Sequence, residues 1–65
     1  MYYILEIKCD DDIITIKESM HKAEILQYLR NNRKDLQATL RVLSNAKVYL
    51  VCLGKESSAW EVEFD

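Results

Sequence analysis

The chain has 65 residues, 49% of them hydrophobic, a net charge of −2 and no proline. That length allows one domain, 1–65, and a single glycine with no proline gives no sign of a linker or disordered tail. The slightly acidic balance argues against a dedicated phosphate binder, and the longest apolar run, Val48 to Leu53, is far too short to span a bilayer.

A domain this small buries only about 60% of the surface its unfolded chain exposes. Ordering it costs roughly 1.5 kcal/mol per residue, so folds of this size often lean on a disulfide, a metal or a second subunit. Cys9 and Cys52 both lie inside apolar, strand-like runs. Met1 to Glu6 lack the basic start and long apolar stretch of a secretion signal. The expectation is therefore a reducing cytoplasm with both thiols free and buried, which sets the disulfide aside.

In chain order, residues 2–9 alternate as a strand, with Tyr3, Leu5, Ile7 and Cys9 on one face and Tyr2, Ile4, Glu6 and Lys8 on the other. Asp10-Asp11-Asp12 marks a turn, because short carboxylates bond their own backbone and tolerate turn conformations. Residues 13–17 form a second strand, with Ile14 and Ile16 on one face and Ile13, Thr15 and Lys17 on the other. Pairing Cys9 with Ile14 and Ile7 with Ile16 would put all four on one face.

Ser19 is expected to cap a helix through its hydroxyl, although Lys22 stands where a capping box requires Glu or Gln. Beyond Met20, Leu26, Leu29, Leu36, Leu40 and Leu43 recur at spacings of three and four if Arg33 fills the missing position. The segment 30–35 reads two ways. The leucine period favours one long helix, whereas Asn31-Asn32 followed by Asp35 favours a stop and a new cap. Residues 36–45 read as helix in preference to a strand with Leu40 and Val42 inward. Asn45 suits a left-handed helix end.

Lys47 to Leu53 is expected as a strand, Gly54 to Ser58 as a turn and Ala59 to Phe64 as the last strand. There Trp60, Val62 and Phe64 face the core and Ala59, Glu61 and Glu63 face water. The first and third strands are apolar on both faces, which marks them as central, and the other two are edges. The expected fold is α+β: a four-stranded antiparallel sheet, ββ-helical-ββ, with the helical region packed on one face. The alternative is ββαβββ with five strands. The opposite face would expose Tyr2, Ile4, Tyr49, Val51 and Leu53, a patch that small monomers rarely leave in water. Helices on both faces, a second copy of the chain, or a different protein could cover it.

No spacing in the chain points to catalysis or a cofactor. P-loop, dinucleotide and nucleophile-elbow motifs are absent. The Asp10–Asp12 run lacks the spaced ligands, glycine and distal glutamate of a calcium loop, and Cys9, Cys52 and His21 lack a C-x₂-C pair for zinc. A Cys–His nucleophile pair is disfavoured in so small a domain with one histidine. The charge is uneven: residues 18–47 carry +3 and both ends are acidic. Arg30, Arg33, Lys34, Arg41 and Lys47 could meet phosphates while strand aromatics stack on unpaired bases. Glu61, Glu63, Asp65 and the aspartate run would repel a polyanion, yet form too thin an acidic surface for a nucleic-acid mimic.

These features favour a non-catalytic interaction protein, a regulator or inhibitor that binds another protein and pairs with itself, with Tyr2, Ile4, Tyr49, Val51 and Leu53 as contacts. The alternative is a nucleic-acid-binding regulator that uses the basic segment 30–47. Neither reading involves a membrane, a metal or a cofactor. The size suits a small accessory protein of the kind phages and mobile elements carry.

Overall fold

Two hairpins and a bent helical layer between them make up the molecule. The computed structural model describes residues 1–64. In order the elements are β1 (Tyr2–Cys9), β2 (Asp12–Ser19), α1 (Lys22–Asn31), α2 (Arg33–Val42), β3 (Ala46–Leu53) and β4 (Ser58–Val62). The strands form one antiparallel sheet in the order β2-β1-β3-β4. The doubly apolar strands are thus central and the singly apolar ones are edges. A fifth strand does not form, because residues 36–42 are helical. Val42, inward in the strand reading, is 81% exposed.

The first hairpin corrects the expected register. Asp10 adopts φ 53°, so Asp10 and Asp11 alone make the turn. This pairs Cys9 with Asp12 and Ile7 with Ile14, two residues away from the expected pairing. A bulge follows, because Glu6 pairs with Thr15 while Leu5 pairs with Lys17, leaving Ile16 as the extra residue. Ile16 still packs against the core. Beyond the bulge the alternation is reset, so Lys17, expected on the outer face, lies on the helical side with its Nζ 6.0 Å from the centre of the Tyr28 ring.

The same reset places Ser19 opposite Tyr3 and buries it. Ser19 is the last residue of β2 and not the helix cap; His21 holds that position, without a side-chain capping bond. The Ser19 hydroxyl accepts from the His21 backbone N–H at 2.9 Å and donates to Glu24 Oε2 at 2.7 Å. It thereby ties the strand end to the first turn of α1, where a carboxylate also suits the helix dipole.

Of the two readings of 30–35, the structure takes the two-helix form, divided at Asn32. Its backbone N–H and its Nδ2 both donate to the Tyr28 carbonyl, at 2.9 and 3.0 Å. Its φ and ψ of −115° and 17° bend the chain before α2 starts. The inward stripe runs through Ile25, Leu29, Asn32, Leu36, Leu40 and Leu43, of which Ile25 and Leu36 are buried and the rest partly so, one residue out of phase with Leu26 and Arg33. Leu26 is accordingly 45% exposed, whereas Ile25 is completely buried.

The core joins Leu5 and Ile7 of β1 to Val48 and Leu50 of β3 and Ile25 of α1. Tyr28, Leu29, Leu40 and Leu43 pack against it, so both helices lie on the same face of the sheet. The shortest dimension of the molecule, 17 Å, accommodates one sheet and one helical layer. After α2, Asn45 takes φ 53°, as its type allows, and its amide donates to Asp10 Oδ1 at 3.4 Å. The Cys9 thiol donates to the Ser44 carbonyl at 3.1 Å, fastening the same loop to the first hairpin.

Candidate interaction surface

The uncovered face of the sheet is built by the even-numbered residues of β1 and the odd-numbered residues of β3. Tyr2 pairs with Leu53, Ile4 with Val51, and Glu6 with Tyr49. The five apolar residues singled out in the sequence therefore occupy three consecutive rows across the two central strands. Tyr2 and Leu53 are 37% and 40% exposed, and Ile4, Val51 and Tyr49 are half-buried by their neighbours on the sheet.

Charge frames this patch. Glu18 on β2 stands opposite Ile4, and Ala59 on β4 stands opposite Val51. In the next row Thr15, Glu6, Tyr49 and Glu61 lie side by side. One row further, Lys8 pairs with Lys47, and Lys47 Nζ reaches Glu61 Oε1 at 3.5 Å. The Tyr2–Leu53 end is thus mostly apolar, and the opposite end is ionic apart from Ile13, which pairs with Lys8 and is 58% exposed. Partial desolvation, followed by the nearby Glu18 carboxylate, raises the Tyr2 phenol above its ordinary pKa.

The basic residues do not form one surface. Arg30, Arg33 and Lys34 gather with Asn31 and Asp35 around a recess of about 430 Å³ at the α1–α2 junction. Arg41 lies in the last turn of α2, eight residues beyond Arg33 and about 12 Å along the helix. Lys47 projects on the uncovered sheet face.

The cysteines are also far apart. Cys9 pairs with Ala46 and Cys52 with Tyr3, six positions away along β1, or about 20 Å. Both are free. Among the described residues, no three His, Cys, Asp or Glu side chains gather in a metal-binding arrangement, and no helix is long and apolar enough to cross a membrane. Asp65, read with Glu61 and Glu63 as an acidic edge, lies outside the described residues.

One feature was not legible in the strand pattern. Trp60 lies on the helical side of the sheet, as its alternation predicts, but it is 50% exposed and does not join the core as Val62 and Phe64 do. It borders a groove of about 790 Å³ with Met1, Tyr3, Cys52 and Lys22. The available signal was a tryptophan on an edge strand beyond the reach of short helices. No protein family, curated protein or solved structure matches the chain.

Proposed function

We propose that this chain is a small, non-catalytic interaction module that acts by binding another protein and pairs with a second copy of itself through the uncovered sheet face. The observation that carries the reading is the block of Tyr2, Ile4, Tyr49, Val51 and Leu53, contiguous over three rows and lying on the face opposite both helices. A 65-residue fold with one covered face has little apolar burial in reserve. Pairing two such faces adds burial, and tyrosines supply area with a polar tip. The charged border supplies both signs, which suits contact between identical surfaces.

The test is molar mass by light scattering after size exclusion, across protein concentration and at two salt levels. The expected result is a dimer that dissociates on dilution. Val51→Asp places a carboxylate in the middle of the patch and should leave a folded monomer. A wild-type monomer at every concentration would remove the self-pairing.

A second reading follows from the gathering of Arg30, Arg33 and Lys34 at the helix junction, which offers phosphate contacts to a nucleic acid. It predicts binding of single-stranded oligonucleotides that weakens steeply with salt and is lost when these three residues are replaced by alanine.

A further inference from the structure

The Trp60 groove lies on the helical side of the sheet, away from the patch assigned to self-pairing. Its floor is apolar and soft. Met1 Sδ sits 3.7 Å from the Cys52 thiol and 3.6 Å from the Tyr3 hydroxyl. Met1 is nevertheless 75% exposed, and Trp60 forms a half-exposed wall beside it. Methionine and tryptophan are well suited to contacts: the thioether repacks easily, and the indole supplies a large rigid surface.

The rim carries the charge. Lys22, in the first turn of α1, holds its Nζ 5.7 Å from the centre of the Trp60 ring. Lys55, in the β3–β4 turn, lines the same groove, and Glu56 is the one acidic residue there. Two ammonium groups above an apolar floor fit a side chain that is large and apolar, flanked by carboxylates. The volume is ample for one such side chain and its neighbours.

We propose that this groove receives an acidic segment of a partner protein, with a bulky apolar side chain seated against Trp60, Met1 and Cys52 and its flanking carboxylates drawn to Lys22 and Lys55. The assignment rests on the reading that the chain acts by binding another protein, and it names the chemistry of that partner. Lys22 attracts the segment and also orders the indole through the cation–π contact. A dimer formed through the opposite sheet face would keep both of its grooves open.

Trp60 is the only tryptophan in the chain, so its emission reports directly on the groove. The probe is the blocked peptide Glu-Asp-Phe-Asp-Glu, titrated into the full chain at low and high salt. A saturable change in Trp60 emission is expected. Binding should weaken about threefold in Lys22→Ala and again in Lys55→Ala, the size of a single exposed ion pair, and it should weaken at high salt. Lys-Lys-Phe-Lys-Lys and Glu-Asp-Ala-Asp-Glu should bind at least tenfold more weakly. Arg41→Ala, in the last turn of α2 and outside the groove, should bind the probe as the wild type does. Absence of saturable binding would overturn the proposal, as would equal binding of the basic peptide or full binding by the Lys22→Ala/Lys55→Ala double variant. A loss in Arg41→Ala as large as that in Lys22→Ala would reduce the contact to general charge attraction and overturn the groove assignment. The mass measurement tests the sheet-face pairing separately, so either reading can fail without the other.

Discussion

At the scale of single residues, two positions have consequences that can be measured. Tyr2 holds its proton more tightly than an ordinary tyrosine of pKa 10.0 because it is partly desolvated and faces the Glu18 carboxylate. The protonated phenol is the form the folded state favours. Its contribution to stability is complete below the unfolded pKa and is lost as pH rises through the higher folded value. The tyrosinate absorbance that disappears in Tyr2→Phe should therefore titrate above pH 10, and Glu18→Gln should move that midpoint down. Asn45 sits at φ 53°. Asn45→Gly should change stability by only a few tenths of a kcal/mol, whereas Asn45→Val, β-branched in a left-handed conformation, should cost about 1–2 kcal/mol in urea unfolding. Equal stability of the two variants would show that the left-handed backbone does not constrain this loop.

The helical layer illustrates how much a shift of one residue matters. The leucine pattern marks this region as helical but selects Leu26 and Arg33 for the inward stripe. The molecule uses Ile25 and Asn32, because Asn32 ends α1 with two bonds to the Tyr28 carbonyl while keeping the stripe in phase through α2. Ile25→Ala should cost about 2–5 kcal/mol, because it opens a cavity against Leu5 and Val48. Leu26→Ala, at a half-exposed site, should cost less than about 0.5 kcal/mol. Comparable losses in the two variants would contradict the stripe. In β2 the bulge has a similar effect: one extra residue turns Lys17 and Ser19 inward and joins the strand to α1 through Glu24. It also twists an edge strand that carries exposed Ile13 and Ile14, which discourages edge-to-edge pairing.

For the whole molecule, the decisive fact is a single covered face. Four strands spaced about 4.8 Å apart, over three or four rows, give a flat footprint of about 400 Å². Two such faces bury about 800 Å² in total, below the roughly 1,200–2,000 Å² of stable interfaces, so the pairing should be weak, concentration-dependent and not obligate. The melting temperature should accordingly rise with protein concentration in the wild type and stay constant in Val51→Asp. A wild-type melting temperature independent of concentration would argue that each chain is stable alone and its sheet face is kept for another partner.

The sequence by itself determined the four strands and which of them are central, and it placed Tyr2, Ile4, Tyr49, Val51 and Leu53 together on one face. These depend on alternation and on strands apolar on both sides, which are local properties that a sheet of any register preserves. Only the tertiary structure decided the hairpin register, the bulge, the phase of the helical stripe and the exposure of Trp60. Each of these depends on how far one element reaches over another. A two-residue turn set by Asp10, a break at Asn32 and a helical layer that leaves Trp60 half exposed are competitions among alternatives of similar local energy. The packing around Leu5, Ile25 and Val48 settles them.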